Sequence, residues 1–277
     1  MTPFLKMHGL GNDFVVFDAR KHDLALDDAT ARAVADRRFG IGCDQVIVIA
    51  RGKGTFDATM QIMNADGGEV ESCGNAARCV AGLLMEELGR DRVTIDTVGG
   101  PLTCTDAGSG NVTVDMGAPR TMWDEVPMAK AADTNHFSLN VDGAIHEASA
   151  VSVGNPHVIL FVPDAETAPV AELGARIERH PMFPERTNVE FVSVDGGDRL
   201  RMRVWERGVG ITSACGTGAC ATAVAAFRRG LAGRKVAIIL DGGELEIELR
   251  EGDDHILMTG PATLAFKGEV DLRALRP

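Results

Sequence analysis

The sequence predicts an α+β protein of two pseudo-symmetric domains, each a strongly curved, mostly antiparallel sheet round one apolar helix. Three observations carry this expectation. Short Val- and Ile-rich runs recur along the whole chain. Two long Ala-rich segments each end at glycine. Blocks of sequence repeat at an offset of 142 to 143 residues.

The repeat comes first, because self-similarity fixes how everything else is read. Gly11-Asn12 matches Gly154-Asn155, and Gln45-Val46 matches Asn188-Val189, both at an offset of 143. Met60 to Asn64 matches Met202 to Glu206, Cys73-Gly74 matches Cys215-Gly216, and Ala77 matches Ala219, at 142. Met116 and Pro119 match Met258 and Pro261 at the same offset. One deletion between residues 46 and 60 accounts for the change. The first unit then covers 4–119 and the second 147–261, with 120–146 joining them and 262–277 as a tail.

In the first unit, residues 15–17, 45–50, 58–63, 93–97 and 111–116 read as strands, apolar-rich or alternating. In the second, 158–162, 189–194, 200–205, 235–240 and 244–249 do the same. Residues 74–89 and 216–230 read as long helices that stop at glycine, a C-cap signal. Both are Ala-rich on nearly every face, and a helix apolar all round is a buried one. Shorter helices are expected at 28–38 and 165–179.

The composition is that of a globular chain, with 45% apolar and 25% charged residues, and 277 residues suit two domains. A net charge of −12 argues against nucleic acid and against acidic membranes as partners. No run of 18 apolar residues is present, and the N-terminus lacks a basic start followed by an apolar stretch. The expected compartment is the cytoplasm, where thiols stay reduced.

The six cysteines form no C-x-x-C pair and the seven histidines no H-x-x-x-H pair, so no metal site is expected. Gly9-Leu10-Gly11 and Gly40-Ile41-Gly42 begin like dinucleotide loops, but Phe14 and Gln45 stand where the third glycine belongs. No P-loop occurs either. No cofactor is expected.

Cys73 and Cys215 occupy equivalent positions, each just before one of the long helices, in Ser72-Cys73-Gly74-Asn75 and Ala214-Cys215-Gly216-Thr217. A thiol there meets free backbone N–H groups and the positive end of the helix dipole. Both favour thiolate, so the expectation is a pKa lowered toward neutral. The same N–H groups can bind a carboxylate. Two such thiols on opposite faces of one carbon suit inversion of a carbon acid: one removes the α-proton and the other delivers a proton to the other face. Cys43, Cys79, Cys104 and Cys220 read as packing residues.

The motifs K-M-H-G-L-G-N-D-F (6–14), G-I-G-C-D-Q (40–45), E-S-C-G-N-A-A-R-C (71–79), G-N-P-H (154–157), N-V-E-F (188–191) and E-R-G-V-G-I-T-S-A-C-G-T-G-A-C (206–220) closely resemble those of the diaminopimelate epimerases. The resemblance covers essentially the whole chain. It implies a cofactor-independent epimerase that converts LL-2,6-diaminopimelate to the meso isomer, in lysine and peptidoglycan precursor synthesis. It implies two barrel-like domains wrapped round central helices, 1–118 with 263–277 and 119–262, and a homodimer.

By motif, Cys73 and Cys215 are the acid/base residues. Gly74, Asn75, Gly216 and Thr217 cradle the reacting carboxylate. Asn12, Gln45, Asn64, Asn155, Asn188, Glu206 and Arg207 hold the rest of the substrate, and His157 with Glu206 tunes the thiols. The repeat pairs Asn12 with Asn155, Gln45 with Asn188 and Asn64 with Glu206, so the last pair breaks the pseudosymmetry, as a substrate with one reacting and one recognised end requires. The family carries glycine where this chain has Ala76, a helix-interior position that does not need a positive φ. The rival readings are a proline racemase-like two-cysteine enzyme, whose substrate lacks the second amino acid end, and a thiol redox sensor toggling a Cys73–Cys215 disulfide.

Overall fold

The computed structural model describes residues 1–277 except 22, 23, 25, 72, 276 and 277, so Ser72 and the end of the tail lie outside the described residues. The chain divides into two compact units, Met1–Val114 with Thr259–Pro277, and Asp115–Met258.

The first unit runs β1 (Thr2–Gly9), β2 (Asn12–Asp18), α1 (Asp28–Ala35), β3 (Gln45–Arg51), β4 (Ala58–Asn64), α2 (Gly74–Leu88), β5 (Arg92–Asp96), β6 (Leu102–Gly108) and β7 (Asn111–Asp115). The second runs β8 (Phe137–Val141), β9 (Ala144–Ser152), β10 (Pro156–Phe161), α3 (Val170–Glu178), β11 (Asn188–Val194), β12 (Arg199–Glu206), β13 (Gly210–Ile211), α4 (Gly216–Arg228), β14 (Lys235–Leu240) and β15 (Gly243–Leu249), and β16 (Ile256–Pro261) runs across the boundary at Thr259. The last strand, β17 (Thr263–Val270), pairs with β1.

Strand pairing repeats from one unit to the other. In the first the order is β17, β1, β2, β3, β4, β5, β6, with β2/β3 and β4/β5 parallel and the other pairs antiparallel. In the second it is β8, β9, β10, β11, β12, β14, β15, with β10/β11 and β12/β14 parallel and the rest antiparallel. Register repeats too: Gln45 lies beside Phe14, and Asn188 beside His157. The fold is thus α+β with a mostly antiparallel sheet in each unit, as the sequence repeat implies.

Each sheet is covered on two faces, which explains why its central strands are apolar without a break. In β2, Phe14, Val15, Val16 and Phe17 are all buried. Val15 and Phe17 join Val46, Val48, Ala31 and Val34 in the cluster beneath α1. Alternate residues point the other way. In the second unit Val158, Leu160, Val189 and Phe191 form the matching cluster with Val170 and Ile177 of α3. The Ala-rich helices are the buried ones: α2 packs against β1, β5 and β6, and α4 against β9, β10, β11, β12, β14 and β15. Ala76 is helical and fully buried, so the alanine costs the backbone nothing at this position.

Two helices stop short of their expected limits. α1 ends at Ala35 because the Asp36 carboxylate accepts the N–H groups of Arg38 and Phe39, an Asx turn that competes with the helix. α3 begins only at Val170 because Pro169 keeps the preceding residue out of the helical region. The Leu10-Gly11 turn has φ of 57° and 85°, so it is a two-residue hairpin with both central residues left-handed, and Gly11 serves that turn rather than a phosphate.

α3 lies so close to β12 that a Cβ on Gly174 would stand 2.6 Å from the Trp205 Cβ. Gly174→Ala gains about 1 kcal/mol of helix propensity. It loses about 1–3 kcal/mol to overpacking against an atom that cannot swing away. The expected outcome is a lower urea midpoint with an unchanged slope; a raised midpoint would show that the contact relaxes freely.

Candidate active site

The candidate residues of the first unit gather at one end of its sheet. The Leu10-Gly11 turn delivers Asn12 to the start of β2, β3 opens at Gln45, β4 closes at Asn64, and Cys73 is the N-cap of α2. Gln45 and Asn64 face each other across β3 and β4, and the Gln45 amide donates to Asn64 Oδ1 at 2.9 Å. Asn12 Oδ1 accepts from Asn75 Nδ2 at 3.1 Å and lies 4.0 Å from the half-buried Cys73 Sγ. Asn12 Nδ2 donates to Asp44 Oδ2 at 3.0 Å. The Asp44 carboxylate therefore decides which end of the Asn12 amide faces the thiol.

Beneath it Asp13 takes hydrogen bonds from Lys6 and Arg37. Burial works against its charge, but these bonds prevail and hold its carboxyl down at about 2. Asn75 is buried in the first turn of α2, directly after Gly74.

The second unit places the equivalent residues at the equivalent end of its own sheet. Asn155 precedes β10, Asn188 opens β11, Glu206 closes β12 and Cys215 is the N-cap of α4. The Cys215 sulfur accepts the Gly218 N–H at 3.4 Å and lies 3.6 Å from Thr217 Oγ1. Asn155 Nδ2 donates to Thr217 Oγ1 at 3.3 Å, and Asn155 Oδ1 lies 3.0 Å from His157 Nε2. His157 Nδ1 lies 2.7 Å from Glu190 Oε1, and neither side chain is exposed to solvent.

Asn188 spans its neighbours, donating to the Pro156 carbonyl at 3.0 Å and accepting the Arg207 N–H at 2.9 Å. The exposed Arg207 guanidinium donates to the Glu185 carbonyl at 3.1 Å, and Glu206 accepts from Thr212 Oγ1. Gly216 is the buried first residue of α4.

One expectation is overturned. A helix-start thiol should lean toward thiolate, yet the Cys215 pKa is pushed well up. Burial is the largest cause, and the charges of Glu206 and Glu190 add to it; the bonds from Thr217 and Gly218 oppose it and lose. A helix terminus offers about half an elementary charge. Two nearby carboxylates and a dry pocket outweigh that. Burial also lifts Cys43 and Cys79 to about 12, which fits packing residues. Cys104 and Cys220 are likewise buried.

Sequence reasoning did not single out Glu190 or Asp44. The signal for Glu190 was a lone charge inside the apolar run N-V-E-F-V-S-V; for Asp44 it was an acid next to the buried Cys43. Among the described residues no group of His, Cys, Asp and Glu is placed to hold a metal ion.

Comparison with known proteins gives the same answer from both halves of the chain. The family model described as diaminopimelate epimerase matches residues 4–122 and 149–265. The diaminopimelate epimerase of Phenylobacterium zucineum is 53% identical over 97% of this chain and 97% of its own. That of Acidiphilium cryptum is 50% identical over 99% and 98%. Among solved structures, a hydroxyproline epimerase from Agrobacterium vitis superposes with a TM-score of 0.67 at 17% identity, covering 97% of this chain and 90% of its own. A PhzF-family phenazine biosynthesis protein from Bacillus anthracis gives 0.68 at 13% identity, covering 98% and 99%. At such identities these structures share the fold alone, whereas the sequence matches run through every motif of both cysteine clusters, and the chain belongs to the diaminopimelate epimerase family.

Proposed function

We propose that the chain is an isomerase that interconverts LL- and meso-2,6-diaminopimelate without a cofactor, by moving the α-proton through two thiols. The observation that carries this reading is the repeated placement of a cysteine as the N-cap of a buried helix, Cys73 on α2 and Cys215 on α4. Residues 1–118 with 263–277 form the half that supplies Cys73, and 119–262 the half that supplies Cys215.

The chemistry asks for one base and one acid. One cysteine, as thiolate, takes the α-proton; the other, as thiol, gives its own proton to the opposite face of the carbanion and is left as thiolate. The negative charge that builds on the substrate carboxylate is met by the first-turn N–H groups of Gly74, Asn75, Gly216 and Thr217. Asn12, Gln45, Asn64, Asn155, Asn188, Glu206 and Arg207 hold the distal amino acid end. Arg207 keeps donors beyond the one committed to Glu185, and a guanidinium fork suits a carboxylate. His157 and Glu206 tune the thiols. A proline racemase-like activity is disfavoured, because the likeness to the hydroxyproline epimerase, at 17% identity, reaches only the fold.

The reading places the enzyme in lysine and peptidoglycan precursor synthesis. Two thiols that must stay reduced support a cytoplasmic setting. No helix among the described residues is long and apolar enough to cross a membrane. Leu264 and Phe266 lie exposed on β17, which supports a homodimer that covers them.

Replacing either thiol removes a general acid or base, a loss of about 10²–10⁴-fold. Cys73→Ala and Cys215→Ala should each lower kcat by that order with circular dichroism unchanged, and near-native turnover in either would remove the two-thiol mechanism. Cys79→Ala should be mild.

Turnover in D₂O tests the reaction itself. The donor thiol carries a solvent-derived deuteron, while the abstracting cysteine keeps the proton it took from the substrate, so early product should hold deuterium at the inverted carbon and recovered substrate almost none. The pattern should hold from either isomer. Substrate labelled as fast as product points to a single base, and a protein that exchanges nothing is a binder or a thiol sensor instead.

A further inference from the structure

Glu190 is a fully buried carboxylate in the middle of an apolar strand. Such a group is costly unless something holds it. Here the same oxygen, Oε1, does two things. It is bonded to His157 Nδ1 at 2.7 Å, and it stands 2.7 Å from the point that a Cβ on Gly218 would occupy. The Cys215 sulfur lies 3.2 Å from that same point. Carboxylate and thiol are thus neighbours through the gap left by a missing side chain, and any residue larger than glycine at 218 would part them.

His157 fixes the carboxylate there. Its Nε2 lies 3.0 Å from Asn155 Oδ1. Its Nδ1 lies against Glu190 Oε1, the oxygen beside the Gly218 gap. The ring is pinned at both nitrogens and the carboxylate cannot turn away.

The strands packed on α4 bring few other charges to Cys215. β10 supplies His157, β11 Glu190 and β12 Glu206. Further along β12, Arg199 pairs with Glu244, Arg201 with Glu166, and Arg203 with Asp241. On β9, β14 and β15, Glu147 pairs with His136 and Glu246 and Glu248 with Lys235, all at exposed positions. His146 is half-buried toward the start of β9.

We propose that Glu190 is a positioning residue that keeps the proton on Cys215 in the ligand-free protein, so that this thiol begins as the donor. It touches no substrate in this scheme and acts through the sulfur. Its catalytic meaning rests on the two-thiol reading above, but its effect on Cys215 does not. The upward push on the Cys215 pKa from this carboxylate agrees with the geometry.

The test compares an uncharged isostere with a shorter charged residue. In the full chain without substrate, the rate of iodoacetamide alkylation at Cys215 is followed against pH by peptide mass spectrometry. Glu190→Gln keeps the shape and loses the charge. It should speed alkylation of Cys215 by about tenfold near neutral pH, a downward shift of about one unit in the midpoint. Glu190→Asp keeps the charge and should stay within about twofold of the native rate.

The alkaline limb of kcat/KM for the direction that uses Cys215 as donor should move down with Gln and hold with Asp. A packing role would reverse the order, with Gln behaving as native and Asp disturbed. Unchanged or slower alkylation in the Gln variant overturns the proposal. Should that variant not fold, alkylation about tenfold faster in Asp does the same. Normal alkylation shifts in a protein that does not epimerise diaminopimelate would instead count against the functional reading alone.

Discussion

A helix buried on every side has no water for its first backbone N–H groups. That constraint shapes both halves of this protein. The four leading N–H groups of α2 and α4 need acceptors that the chain must supply or leave to a ligand. In α4 the Cys215 sulfur takes one of them, from Gly218. Alanine and glycine fill the helices because only small side chains let strands close round them on so many sides. The demand for small residues and the demand for acceptors meet at one point, the residue just before the helix. At α4 a cysteine satisfies both, being small, and an acceptor with its sulfur turned toward the helix.

Around that point the two units use the same scaffold for unlike ends. In the first, the network reaches the surface through Asp44 and Arg37, and the thiol is half-buried. In the second, it runs inward through Thr217, Asn155 and His157 to a carboxylate sealed from water. A strand register kept through duplication therefore holds two thiols in different dielectric surroundings. The difference comes from Asp44 and Arg37 in the first unit, and from Thr217 in the first turn of α4, Asn155, His157 and Glu190 in the second.

Much of this was legible from residue order. The repeat located both cysteines, and the all-round small-residue pattern located both buried helices. The repeat even survives in the register, since Gln45 faces Asn64 as the matched blocks require. Other parts were not legible, for physical reasons. β1 carries Pro3 and Lys6, and Lys6 is drawn into the fold by Asp13 and the Gly42 carbonyl, so its pattern reads as polar. β17 exposes most of its side chains and pairs with a strand at the far end of the sequence. The limits of α1 and α3 depend on one Asx turn and one proline. Glu190 reads as the wet face of a strand until the neighbour beside it is known to be His157. The charge state of Cys215 depends on how dry the pocket is, which no spacing of residues conveys.

The pairing of β17 with β1 has a consequence for how the chain is made. All the strands of the second unit's sheet, from β8 to β15, are contiguous in sequence and can associate as soon as Leu249 has left the ribosome. The first unit, although translated earlier, lacks a sheet strand until residues 263–270 emerge, so it must wait through the synthesis of its twin. Throughout that interval β1 offers a bare strand edge to any other nascent chain. The order of completion is thus the reverse of the order of synthesis, and loss of Thr263–Val270 harms the half that was made first.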